Sequence, residues 1–168
     1  MADKSFSGLR LTCRTLLLVV CILALAATGW AASKPAPDFT LKDVLEGKDF
    51  SLSQFKGKVV LINFFTFFCG PCREEMPDLN KINNEMKGQG LQTLGIALSS
   101  DPTQIRFLVK QLGLEYPVLN GNDKVSEAYG NVAVVPTTFI IDKSGNIAHK
   151  IEGTRKKEEF VKLIKGLM

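Results

Sequence analysis

Residues 59–77, which read Val59-Val-Leu-Ile-Asn-Phe-Phe-Thr-Phe-Phe-Cys69-Gly-Pro-Cys72-Arg-Glu-Glu75-Met-Pro77, restrict the chain more than any other stretch. A continuous apolar run rich in β-branched and aromatic residues predicts a strand, Val59 to Phe65, buried on both faces. It runs straight into a Cys-x-x-Cys turn and then a helical pattern, so two thiols fall at a strand-to-helix junction. Cys69 takes the N-cap position, where unpaired backbone N–H groups and the positive end of the helix dipole favour thiolate over thiol. It is the candidate nucleophile. Cys72 follows one turn later on the same face, within reach of a disulfide, so the pair can open and close with little backbone movement.

At 168 residues the chain suits one domain with an appendage, and a domain of this size holds a core without disulfides. The appendage is expected at residues 1–31: Lys4, Arg10 and Arg14 precede the apolar run Leu16 to Ala27, and Gly29-Trp30-Ala31 offers small residues for a signal peptidase. This reads as an export signal cut after Ala31; an uncleaved anchor extending through Trp30 and Ala32 is the alternative. Residues 32–37 are expected to be a linker and 38–168 the folded domain. Cleavage would remove three cations and Asp3, taking the formal charge from +4 to +2, which points to neither nucleic acid nor an acidic surface as partner. It would also remove Cys13 and Cys21, leaving Cys69 and Cys72 as the domain's cysteines. Val19-Val20 before Cys21 is a poor lipid-attachment context. Outside the cytoplasm a disulfide persists, but a bridge over two intervening residues restrains little unfolded chain, which favours chemistry over stapling.

The remaining chain alternates strand and helix signals. Asp38–Leu41 and Lys48–Leu52 predict an N-terminal hairpin. The helix after Cys72 is expected to run to Lys87, with Leu79, Ile82 and Met86 on one face and Pro77 one turn in. Leu91–Leu98 is a strand; Asp101-Pro102 opens a helix that Gly113 stops. Tyr116–Leu119 is a short strand, Asp123–Tyr129 a short helix, and Val132–Asp142 a strand interrupted by Pro136. Ser144-Gly145-Asn146 turns into a hairpin partner, Ile147–Glu152, and Lys156–Met168 closes as a helix. Strand, helix, strand in this order implies parallel pairing.

Pro136 cannot donate to a ladder, so it marks an edge, a bulge or a cis bond. A cis bond would leave the backbone of Val135 facing outward, able to pair with an extended substrate. Glu75, three residues past Cys72, is either a proton acceptor packed behind that thiol or an exposed acid in the first helical turn. Asn63 reads as a satisfied core amide, with an alternative role in hydrogen-bonding beneath the thiols. His149 reads as a surface strand residue. Two thiols cannot supply the four ligands of a structural zinc, and no cofactor is invoked. Phe68 is either core or an exposed lip for partners.

Together, Ala36-Pro-Asp-Phe-Thr-Leu, Ser51-Leu-Ser-Gln-Phe-Lys-Gly-Lys, Asn63-Phe, Cys69-Gly-Pro-Cys72 with Glu75 and Pro77, and Val135-Pro-Thr-Thr-Phe-Ile-Ile-Asp142 with Gly145 carry a resemblance. From about Ala36 to the C-terminus the chain resembles the thioredoxin-like thiol:disulfide oxidoreductases of bacterial envelopes, the TlpA/ResA type. The resemblance implies an α/β thioredoxin fold, a central mixed sheet flanked by helices, with an N-terminal β-hairpin and a central insertion. It implies a reactive Cys69, a resolving Cys72, an acid-base role for Glu75 and a cis Pro136 opposite the thiols. The substrate face is then expected at Phe68, Gly70, Pro71, Val135 and Pro136. Family precedent gives a disulfide-containing envelope protein, apocytochrome c among them, as client and a membrane electron donor of the DsbD/CcdA kind as supplier. Membrane contact by the chain itself is expected only with an uncleaved leader. Gly70-Pro71 is the dipeptide of thioredoxin, whose potential of about −270 mV hints at a reductant. Phe68 departs from the tryptophan usual in the family before the first cysteine, and Phe65-Thr66-Phe67 from its Trp-Ala. Two other readings compete: a peroxiredoxin-like thiol peroxidase, suited by Thr66 but opposed by Ile62 where a proline belongs, and a non-catalytic peptide-binding domain.

Overall fold

The computed structural model describes residues 34–168. The leader, its cut site, Cys13 and Cys21 lie outside the described residues. Among the described residues no helix is long and apolar enough to cross a membrane.

The apolar run after Lys58 forms β3 (Val59–Phe65), all seven of its residues buried. Such a strand needs cover on both faces, and the order of elements supplies it. From β3 the chain passes through α1 (Gly70–Met86) to β4 (Leu91–Ala97), then through α2 (Pro102–Leu112) to β5 (Val118–Asn120). Both steps are parallel and go the same way across the sheet, so α1 and α2 cover one face. After α3 (Asp123–Ala128) the chain returns to the other side of β3 as β6 (Thr137–Ile141), antiparallel to it, then turns into β7 (Ile147–Glu152) and α4 (Lys157–Lys165). The sheet order is β5-β4-β3-β6-β7.

Alternation along β3 divides the core. Val59, Leu61 and Phe65 pack with Met76, Leu79, Ile105, Leu108, Phe160 and Ile164 beneath the helices. Val60, Ile62 and Phe64 face the other way, toward Val125, Tyr129 and Phe139. There the rings of Phe64, Tyr129 and Phe139 stand 5.0 to 5.7 Å apart, tilted or edge to face.

The expected hairpin is present as β1 (Thr40–Lys42) and β2 (Asp49–Ser51), paired Leu41 with Phe50. Its turn docks on the outer strand: the Val44 N–H donates to the Val118 carbonyl at 2.8 Å, and the Val118 N–H donates to Asp43 Oδ2 at 3.2 Å. Segment 34–37 starts at the opposite edge, where the Ile147 N–H donates to the Lys34 carbonyl, and ends on the Phe64 face of the sheet, where Tyr129 Oη donates to the Pro37 carbonyl.

Several boundaries differ from expectation, among them that of β5, which is Val118–Asn120 rather than Tyr116–Leu119. Residues 132–136 are loop, not strand, and β6 begins after the proline. Asn131 sits at φ +56, and the Val132 N–H turns back to the carbonyl and hydroxyl of Ser126, so the start of this segment is drawn away from the sheet and only the Pro136 carbonyl at its end meets β7. Pro77 has about two turns of α1 before it rather than one, because the helix begins at Gly70. The last helix ends at Lys165.

Candidate active site

β3 ends at Phe65, and the loop that follows is fixed before the helix starts. The Leu98 N–H donates to the Phe65 carbonyl at 2.8 Å, the Phe67 N–H to Ser100 Oγ at 2.9 Å, and the Cys69 N–H to the Thr66 carbonyl at 3.3 Å. Cys69 is thereby set as the N-cap of α1: its backbone is extended, its carbonyl accepts from the Arg73 N–H, and its Sγ accepts from the Cys72 N–H at 3.1 Å. Pro71 in the first turn lacks the N–H that would have had no helical partner there.

The two cysteines form a disulfide with Cα atoms 5.3 Å apart, in unlike surroundings. Cys72 is 1 % exposed, whereas Cys69 is half-buried. An incoming group therefore meets Cys69 first. The Cys72 N–H and the helix dipole supply positive potential at its sulfur once the bridge opens.

Opposite the disulfide lies the loop before β6. The Val135–Pro136 peptide bond is cis, and the Val135 carbonyl oxygen stands 3.7 Å from Cys69 Sγ. Thr137 Oγ1 donates to the Val134 carbonyl at 2.7 Å, and the Gly153 N–H to the Pro136 carbonyl at 2.8 Å, tying this loop to the end of β7. Around the opening stand Phe68, 80 % exposed, and Val134, 50 % exposed, with Gly70 and Pro71 also at the surface. Phe67 packs edge to face on Phe68, and the Arg73 guanidinium lies 5.9 Å from the Phe67 ring centre.

Glu75 lies inside rather than on the surface. Its carboxyl accepts the Arg155 N–H on Oε1 at 2.8 Å and Asn63 Nδ2 on Oε2 at 3.3 Å; the same Nδ2 donates to Thr138 Oγ1 at 2.9 Å. Burial pushes the proton affinity of this carboxyl above the ordinary range, against the Arg155 N–H, the Arg155 charge and the Asn63 amide, which favour the carboxylate. Although only 5 % exposed, Glu75 forms the floor of a polar cleft walled by Glu74, Asp78, Arg155, Lys156 and Glu159, which gives its proton a way to solvent. Nearby, the buried Tyr116 phenol lacks a hydrogen-bond partner, and burial followed by the charge on Glu75 pushes its pKa up.

The residues anticipated from sequence thus fall into two groups. Cys69, Cys72, Val135, Pro136, Phe68, Gly70 and Pro71 gather around the disulfide; Glu75 and Asn63 lie deeper, between α1 and the sheet. His149, opposite Ile140 on β7, belongs to neither. Thr138 and Arg155 were not anticipated: one reads as an ordinary strand threonine, and the other contributes a backbone N–H that any residue but proline carries. Among the described residues no cluster of His, Cys, Asp or Glu forms a metal site.

Comparisons with known proteins agree with this geometry. Residues 31–164 match the Redoxin family. Thiol-disulfide oxidoreductase ResA of Geobacillus thermodenitrificans is 35 % identical over 162 residues, covering 90 % of this chain and 92 % of its own length. The protein of the same name from Bacillus subtilis is 32 % identical over 170 residues, covering 93 % and 94 %. A thioredoxin-family thiol:disulfide interchange protein from Chlorobium tepidum, known from its crystal structure, superposes with a TM-score of 0.77 at 33 % identity, covering 83 % of this chain and 99 % of that one.

Proposed function

The chain belongs to the Redoxin family and is a thiol:disulfide oxidoreductase of thioredoxin fold, and from that premise we propose that it works as a reductase in the bacterial cell envelope. Cys69, as thiolate, attacks one sulfur of a partner disulfide; a Cys69–partner bond forms and the other partner sulfur leaves. Cys72 then gives its proton to Glu75, attacks Cys69 Sγ, closes the bridge present in the structure and releases the second partner sulfur. Two electrons pass from the cysteine pair to the partner.

The observation that carries this reading is the unequal exposure of the two sulfurs: Cys69 meets solvent beside the Val135 carbonyl while Cys72 is covered. A partner held as an extended chain along Val135–Pro136, with Phe68, Gly70 and Pro71 against its flanks, presents its disulfide to Cys69 alone. The leader read in residues 1–31, preceding the linker 32–37 and the domain 38–168, supports an envelope location, whether cut or kept as an anchor. There the pair needs recharging, for which a membrane electron donor of the DsbD/CcdA kind is suited, with apocytochrome c before haem attachment as client.

Insulin-disulfide reduction tests the chemistry. Cys69→Ser should fall to the uncatalysed rate, whereas Cys72→Ser should complete the first attack and accumulate a mixed disulfide. Full activity in Cys69→Ser would disprove the mechanism. The species that Cys72→Ser captures in its native envelope identifies the client or the donor.

A further inference from the structure

We propose that the loop Gly153-Thr154-Arg155 is a positioning segment that ties the proton affinity of Glu75 to the seat of Pro136. The inference rests on Val135–Pro136 being where the partner chain docks, as proposed above. Two donors in this loop, two residues apart, serve two parts of the site: the Gly153 N–H holds the Pro136 carbonyl at 2.8 Å and the Arg155 N–H holds Glu75 Oε1 at 2.8 Å. Its ends are fixed, since Glu152 pairs with Thr137 in the sheet and α4 starts at Lys157. With consecutive Cα atoms about 3.8 Å apart and both ends held, so short a loop leaves its two donors little room to move independently.

The other oxygen of Glu75 leads to the same place. Asn63 Nδ2 joins Oε2 to Thr138 Oγ1, and Thr138 is two residues after Pro136 on β6. Both hydrogen-bond arms of the carboxylate therefore return to the docking proline. A carboxylate whose N–H donors recede holds its proton more tightly, so a partner that displaces Pro136 changes Glu75 in the same event that presents its disulfide. The other charged groups near Glu75 are the Arg155 guanidinium, Asp78 and, along the cleft, Glu74, Lys156 and Glu159, with Tyr116 and Cys72 buried close by. Gly153 is the residue that lets the loop make both contacts. Its φ of +78 lies in the left-handed region, where an alanine is strained.

The test reads Glu75 directly by carboxyl ¹³C NMR in the oxidised protein, where neither cysteine titrates, with the resonance assigned through Glu75→Gln. Replacing the amide of residue 155 by an ester, or Arg155→Pro, removes the donor and should raise the proton affinity of Glu75 about tenfold. Arg155→Lys, which keeps both N–H and charge, should leave the titration where it is. Gly153→Ala should shift the Glu75 titration and raise KM for a peptide disulfide together. An ester analogue that titrates with the wild type would overturn the proposal, as would a Gly153→Ala protein in which only one of the two quantities moves, or neither. The ester leaves every side chain in place, so a misfolded proline variant does not remove the test. Because the titration is read without turnover, this result is separate from the outcome for Cys69→Ser.

Discussion

Glu75 is the residue at which burial and charge are most closely opposed. Its carboxyl is buried, which raises its pKa, while the Arg155 N–H, the Arg155 charge and the Asn63 amide favour ionisation and only partly offset that rise. The sign of the effect on stability follows by linkage. A carboxyl with a raised pKa binds its proton more tightly folded than unfolded, so its contribution is fully present below the unfolded value and is lost as pH rises through the folded one. Glu75→Gln carries no charge to lose. Urea unfolding of the two proteins from pH 4 to pH 8 should therefore show the variant gaining on the wild type as pH rises; a difference that stays constant, or reverses, contradicts the burial argument. Direction was legible in the sequence here, since the spacing from Cys72 puts Glu75 on the face of the thiol. Burial was not, because its second donor is the main chain of Arg155, eighty residues on.

Among the elements, those read most accurately are the ones whose periodicity and end signals agree. β3 was legible to the residue because a run of seven, rich in β-branched and aromatic side chains and followed at once by turn residues, is short for a buried helix and suits a strand covered on both faces. In α2, Asp101 caps with its carboxylate on the Thr103 and Gln104 N–H groups, Pro102 opens and Gly113 closes in the left-handed region. Residues 132–136 were misread for the opposite reason. Val132, Val134 and Val135 have strand composition, but the hydrogen bonds that turn the start of the segment away from the sheet run from Val132 to Ser126, a partner no local pattern reveals. Gly121, in the turn after β5, was also silent. A Cβ there would lie 2.7 Å from the Ala97 carbonyl oxygen and 2.7 Å from Ile96 Cγ2, so β4 and the turn must part to admit it. Gly121→Ala should cost about 1–3 kcal/mol by overpacking. Gly88→Ala, with nothing within 4 Å, should be neutral or slightly stabilising. Equal denaturation midpoints for the two variants would refute the close approach at Gly121.

At the scale of the whole molecule, the sheet that carries the exchange site has two edges, and an edge strand with unpaired N–H and C=O groups invites another chain. At one edge β5, three residues long, pairs with β4 on one side, and the hairpin turn covers the other. Asp43 makes that cover hold. Its Oδ1 accepts from the Leu45 and Glu46 N–H groups, which shapes the turn, and its Oδ2 accepts from the Val118 N–H, which fastens the turn to the strand. Arg106 Nε on the Val44 carbonyl at 2.7 Å anchors the same turn to α2. Asp43→Ala takes the acceptor from three donors at once, and of these the Val118 N–H is the buried one. The expected loss is about 1–3 kcal/mol, the cost of a buried donor left without a partner. Amide exchange should separate this from general loosening. Protection should fall first at Val118 and along β1 and β2, with β3 and β6 unchanged, and the protein should begin to self-associate with concentration through the uncovered strand. Uniform loss of protection through β3 would mean that the hairpin is part of the core's cooperative unit rather than a cover laid over its edge. In that case the disulfide would respond to changes at Asp43 as well, which thiol reactivity measured in the same variant would reveal.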